Sequence, residues 1–219
     1  MKNAGIRKLL SGGIFIILFA VWTWLIQTVD VKPVGVNGTD IGFSAFNCWF
    51  HNLYGVNMTL YVITDWLGFV PIFVALSYAV IGLVQLIKRR SFIKVDFDIY
   101  ILGVYYVLII ICYCVFEIVP INYRPILIGG CMEVSYPSST TLLCLGVMPT
   151  LIEQVNRRCK NIVINKVINI LTIIFLVFMV IGRLISGVHW FTDIIGSILL
   201  CLGMFYIYKA FVLLYKNRT

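Results

Sequence analysis

Arg183, His189 and Asp193 lie within Gly182–Gly196 (Gly-Arg-Leu-Ile-Ser-Gly-Val-His-Trp-Phe-Thr-Asp-Ile-Ile-Gly), in a very apolar part of the chain. His189 is one of only two histidines. Ionisable residues at the edge of an apolar run cost free energy to keep there, so by default they mark function. A spacing of four puts His189 and Asp193 on one face of a helix. A carboxylate that accepts from one imidazole nitrogen fixes the tautomer and leaves the other nitrogen as a nucleophile or base. Arg183 adds a fork of donors suited to an oxyanion.

The elements that must hold these residues follow from composition. The 219-residue chain is 61% hydrophobic and 12% charged, about half the charge of a soluble domain. That composition predicts an integral membrane protein. The net charge of +8 is carried in short clusters between apolar runs, a pattern of membrane topology that excludes a nucleic-acid groove. The seven cysteines are scattered without a Cys-x-x-Cys pair and read as small buried hydrophobes, with no metal site or cofactor expected. Cys48 and Cys131 both fall in expected outer loops, which leaves a bridge between them open.

Six spans are expected: Leu9 to Val29, Leu60 to Ile87, Asp98 to Glu117, Ser138 to Gln154, Val167 to Ile185, and a sixth opening at His189 and running to about Tyr215. The first is read as an uncleaved span, because no small-x-small cleavage site follows it. In the first outer loop, Phe46, Trp49, Phe50, Leu53 and Tyr54 recur at helical spacing, which predicts a short interfacial helix. His51, on that helix, reads as an interfacial polar residue. Fourteen of the 17 Lys/Arg fall at the N-terminus, in the 88–94 and 157–166 loops and at the C-terminal end, leaving Lys32, Arg124 and Arg183 opposite. This bias predicts both termini in the cytoplasm. The expected fold class is an all-α, six-transmembrane-helix bundle, with residues 1–219 forming one membrane-embedded domain.

On that topology three stretches meet at the outer face: Arg124 in the 120–137 loop, Ser138, Ser139 and Thr140 at the start of span four, and Arg183 with His189 and Asp193. Two guanidiniums, hydroxyls and a helix N-terminus are what an anionic phosphate needs. Taken singly, Arg183 suits a snorkelling side chain, Asp193 a helix-start residue, and Trp190 and Phe191 an aromatic belt. Asp65, near the outer end of span two, is assigned no role.

The constellation resembles the type 2 phosphatidic acid phosphatase family, which is related to the vanadium haloperoxidases. Its third motif, Ser-Arg-x5-His-x3-Asp, reads here Gly182-Arg183, five residues, His189, three residues, Asp193. Its second, Pro-Ser-Gly-His, reads Pro137-Ser138-Ser139-Thr140, and its first, Lys-x6-Arg-Pro, reads Glu117, six residues, Arg124-Pro125. The resemblance covers residues 117–193. It implies a metal-independent membrane lipid phosphatase in which His189, oriented by Asp193, forms a phosphohistidine that water hydrolyses. It further implies that Arg124, Arg183, Ser138 and the backbone N–H of Ser139 bind the phosphoryl oxygens.

Three positions depart from the family pattern. Glu117 replaces the phosphate-binding lysine, Thr140 replaces the histidine that protonates the leaving oxygen, and Gly182 replaces a serine. Without that histidine, a diphosphate is the favoured substrate, because its leaving group is less basic than an alkoxide. The expectation is therefore an isoprenoid diphosphate, such as undecaprenyl diphosphate, cleaved at the outer face of the plasma membrane. Phosphatidic acid or phosphatidylglycerol phosphate is the alternative substrate. A proton from Glu117 or Glu133, or a phospholipid-binding pseudo-phosphatase, is the alternative chemistry. A transporter is disfavoured, since few polar residues fall at mid-span. No partner beyond the lipid substrate and the bilayer is expected, and oligomeric state is not legible.

Overall fold

A computed structural model describes residues 2–215; the basic residues Lys216 and Arg218, counted in the topology above, lie outside them. The described residues form eight α-helices: α1 Lys2–Ile26, α2 Ser44–Tyr54, α3 Met58–Leu67, α4 Phe69–Arg89, α5 Phe97–Ile118, α6 Ser139–Arg158, α7 Ile162–Ile185 and α8 Phe191–Tyr215. Among the described residues there are isolated β-bridges but no strand. The fold is all-α and membrane-spanning, as the sequence predicts.

Among the described residues, five stretches are long and apolar enough to cross a bilayer: α1, Met58–Arg89, α5, α7 and α8. The expected fourth span corresponds to α6, which is less apolar for a packing reason. It lies against α4, α5, α7 and α8, so much of its surface is covered by protein, and Thr141, Thr150 and Gln154 are buried. Its polar groups find partners across the bundle. The Tyr105 hydroxyl donates to the Gly146 carbonyl at 2.8 Å, and Tyr106 and Thr150 share a hydroxyl bond of 2.7 Å. Such bonds are needed wherever no water competes. At about 1.5 Å per residue, its 20 residues cover roughly 30 Å.

The second span is split between α3 and α4 at Gly68. Pro71 explains the break, because it has no N–H for the Leu67 carbonyl and its ring crowds that turn. Helix α1 packs along α8. The interfacial helix α2 turns its polar face inward: Asn47 is buried, donates to the Gly42 carbonyl (2.8 Å) and Thr192 Oγ1 (3.1 Å), and pins α2 to α8. Phe46, Trp49, Leu53 and Tyr54 are left exposed, as an interfacial helix requires.

Several expectations are corrected. The sixth helix opens at Phe191, so His189 sits in the preceding turn and shares no helical face with Asp193. Gly187 forces this turn: its φ is +71°, and a Cβ there would lie 2.0 Å from the Gly55 carbonyl oxygen. Trp190 is buried and donates from Nε1 to the Tyr123 carbonyl at 2.8 Å, so it is no belt residue. Cys48 and Cys131 are unbridged, and Cys114 and Cys131 are exposed rather than buried.

Candidate active site

The site is assembled at the end of the bundle where α5, α7 and α3 meet the 119–138 connection. That connection folds back on itself about Gly129-Gly130, both at positive φ. Arg124 N–H donates to the Glu133 carbonyl (3.0 Å) and Ser135 N–H to the Asn122 carbonyl (3.1 Å). This pairing puts Asn122, Arg124 and Ser135 in fixed relation beside the α7–α8 turn.

Asp193 is fully buried in the first turn of α8. Its carboxylate accepts three hydrogen bonds: from Asn122 Nδ2 (3.0 Å), from the Trp190 N–H (2.9 Å) and from Ser135 Oγ. The bond to Trp190 is the half of a capping box in which the third helical residue reaches back to the cap. His189 is buried too, with Nδ1 at 3.7 Å from Asp193 Oδ2 and closer to Ser135, 3.1 Å from its hydroxyl and 3.2 Å from its carbonyl. Asp193 therefore orients His189 largely through Ser135.

The tautomer follows from the partners. Arg183 Nη2 lies 3.4 Å from His189 Nε2, and a guanidinium has no acceptor, so Nε2 must accept. The proton is then on Nδ1, donated toward Ser135, while Ser135 Oγ–H passes its own to Asp193. Nε2 is left with a lone pair facing the arginines. Burial, then the charges of Arg183 and Arg124, hold the His189 pKa well below the ordinary imidazole range. His189 is therefore neutral at physiological pH.

The two guanidiniums converge on one ring, Arg183 at 5.0 Å and Arg124 at 5.7 Å from the centroid of Tyr61. Arg124 pairs with Glu133 (3.1 Å) and Arg183 with Asp65 (3.5 Å). Arg183 Nη1 is also 3.4 Å from Thr64 Oγ1. Arg124 Nε and Nη1 and Arg183 Nε are buried without a hydrogen-bond partner. Buried orphan donors are rare and ask for an explanation, and phosphoryl oxygens would satisfy them. The departure at Gly182 also gains a cause, since a Cβ there would lie 2.8 Å from Thr64 Cγ2. Glycine lets α7 approach α3 closely enough to bring Arg183 to Thr64 and Asp65.

The other motif positions are less central. Ser138 is fully buried as the cap of α6, its hydroxyl bonded to Thr141 Oγ1 at 3.0 Å and its N–H to the Asp193 carbonyl at 3.4 Å. Glu117 is exposed near the end of α5 and makes no ion pair among the described residues; Arg124 and Arg183 pair with Glu133 and Asp65 instead. The His51 ring lies tilted against Trp190, 5.7 Å between ring centres. Ser139 and Thr140 line an apolar groove between α4, α5 and α6 of about 1280 Å³. The groove runs from Asp65 past Ile72, Leu76 and Leu83 to Phe92.

Ser135, Asn122, Tyr61 and Asp65 were not found from sequence. Gly129-Gly130 was a usable signal for the first two, because a two-residue turn implies that its flanks pair. Asp65 carried its own signal as an acid in an apolar span.

Residues 121–217 match the family model described as the PAP2 superfamily. No curated protein matches the chain. The fold is similar to the crystal structure of the first transmembrane PAP2 type phosphatidylglycerolphosphate phosphatase from Bacillus subtilis. The likeness spans 92% of this chain and 96% of that one, with a TM-score of 0.61 at 17% identity.

Proposed function

We propose, on the premise that the chain belongs to the PAP2 superfamily through residues 121–217, that it is a membrane lipid phosphatase working through a phosphohistidine on His189. The observation that carries this is a neutral, oriented imidazole nitrogen beside Arg183, one of two arginines that share three orphan guanidinium nitrogens among the described residues. The Nε2 lone pair attacks phosphorus, the bond to the lipid oxygen breaks, and the electron pair leaves on that oxygen. As the imidazole gains positive charge, Nδ1–H tightens on Ser135 and, through it, on Asp193. Arg124 and Arg183 stabilise the charge spread over the equatorial oxygens, which in a water-poor site is the largest single contribution. Water then attacks the phosphohistidine, and the P–N electron pair returns to Nε2.

The groove supports a lipid substrate. It is larger than the roughly 300–1,000 Å³ of ordinary small-molecule sites, its walls are apolar, and its one acidic end adjoins Arg183. Within the class, an isoprenoid diphosphate fits Thr140 best, because a departing phosphate needs less protonation than an alkoxide. The similar structure's name favours phosphatidylglycerol phosphate as a second reading. The distribution of Lys and Arg supports a plasma-membrane orientation with the site on the outer face.

Phosphate release by purified protein from a panel of lipid mono- and diphosphates tests the reading. Release from at least one lipid, abolished by His189→Ala, is expected. Identical traces from wild type and variant would leave a phospholipid-binding protein without turnover.

A further inference from the structure

The position that the motif gives to an acid is filled here by Thr140, whose hydroxyl is no donor near neutral pH. The leaving oxygen nonetheless has a definite place. If the lipid tail lies in the groove, the breaking P–O bond points from the arginines toward the groove mouth, where Asp65, Ser139 and Thr140 stand together. Among the residues lining the groove, Asp65 is the one carboxylic acid, and there is no histidine. Thr140 reaches the same corner: its Cγ2 would lie 3.3 Å from a Cβ added at Gly68, three residues beyond Asp65.

Arg183 links this corner to the nucleophile. Its Nη1 faces Asp65 Oδ1 at 3.5 Å and its Nη2 faces His189 Nε2 at 3.4 Å. A phosphoryl group held by this guanidinium has the nucleophile at one edge and Asp65 at the other, the layout an in-line displacement requires. The alternatives point elsewhere. Glu133 lies in the 119–138 connection, paired with Arg124 at 3.1 Å, and Glu117 does not line the groove.

We infer that Asp65 is the general acid and base of the reaction, in place of the motif histidine. The inference rests on the phosphatase reading above. In the first step His189 Nε2 forms the P–N bond, the P–O bond breaks, and the Asp65 carboxyl proton passes to the leaving oxygen. In the second, the Asp65 carboxylate takes a proton from water, whose oxygen bonds to phosphorus as the P–N bond breaks. Both residues end as they began. In this cycle the ion pair with Arg183 is the resting state: a protonated incoming phosphate takes over the guanidinium and hands its proton to Asp65, and the departing phosphate takes that proton back.

The test is a leaving-group comparison with Asp65→Asn and Asp65→Glu, using a lipid monophosphate and the matching lipid diphosphate. Asp65→Asn is expected to slow the monophosphate by about 10²-fold or more and the diphosphate much less, because an alkoxide needs the proton most. Asp65→Glu is expected to restore part of the monophosphate rate. Equal losses on both substrates would assign Asp65 to holding Arg183, and unchanged monophosphate turnover would remove it from the reaction; either overturns the inference. A wild-type protein inert on both overturns the phosphatase reading and this with it, whereas an active wild type with an unaffected Asp65→Asn variant overturns the acid alone.

Discussion

The two ends of the bundle use the same residue types to opposite effect. At the end away from His189, Arg158 is 35% exposed and bonds to Asp98 at 2.8 Å and Asp96 at 3.3 Å, while Arg89 bonds to Asp96 at 2.8 Å. The hydrogen bond from Arg89, chief among its partners, holds the Asp96 pKa below the usual carboxylate range. Asp96, Asp98 and Arg158 line a cavity of about 580 Å³, and the ion pairs stitch α4, α5 and α6 together. At the His189 end, Arg183 is fully buried and Arg124 nearly so, their carboxylate partners are 53% and 41% exposed, and three guanidinium nitrogens have no partner among the described residues. Burying two like charges face to face does not improve folding. On the phosphatase reading, a region that keeps them is organised for an anion that is not part of the chain.

The most forceful way to break the comparison is Arg183→Lys. Lysine keeps the charge but loses the fork that reaches Asp65, Thr64 and His189 at once. Phosphate release is expected to fall about 10²–10³-fold, the usual cost of losing one oxyanion donor. An active Lys variant would mean that the buried guanidinium is structural, like those at the other end. Arg183→Met tests the electrostatics separately. The chemistry needs neutral His189, and its depressed pKa keeps it neutral as the pH drops below 6.5, so the acid limb of kcat/KM is expected below that value. Removing the Arg183 charge, the second cause of the depression after burial, is expected to shift the limb upward. An unmoved limb would show that burial alone sets it.

Ser135 comes next in expected size. Ser135→Ala leaves the His189 Nδ1–H its carbonyl acceptor at 3.2 Å but cuts the hydroxyl link to Asp193, whose Oδ2 is 3.7 Å away. A drop in kcat of about 10-fold or more is expected, toward the lower range of general-base effects, with KM little changed. Ser135→Thr, which keeps the hydroxyl, is expected to retain most of the rate. Should Ala and Thr behave alike, Asp193 must orient His189 directly.

The sequence was legible where a single rule governs. Apolar runs and basic clusters predicted the bundle, and motif spacing located Arg124, Arg183, His189 and Asp193, because span length and charge bias are local properties. It was less legible where the backbone departs from regular helix. The Gly187 turn moved His189 off α8, so the four-residue spacing to Asp193 was read with the wrong geometry. Ser135 and Asn122 depend on the folding-back of residues 119–138, a non-local pairing. Asp65 reaches Arg183 only because Gly182 admits α3, a packing relation between residues over a hundred positions apart. Glu117 was weighed by its place in a motif, and an exposed carboxylate at a helix end carries little of that weight.

The smallest expected effect belongs to the opposite end. Arg158→Ala removes bonds to Asp96, Asp98 and the Gln154 carboxamide oxygen. Exposed ion pairs contribute about 0–1 kcal/mol each, so a slight lowering of the thermal midpoint in detergent is expected, with kcat and KM for the preferred lipid unchanged. The variant matters because Arg158 has more carboxylate contacts than Arg183. If contact number governed importance, Arg158→Ala would be the more damaging change. If orphan donors and burial govern it, Arg183→Lys abolishes most turnover while Arg158→Ala leaves it intact, and a kinetic defect in the latter would mean that the two ends are coupled through α6.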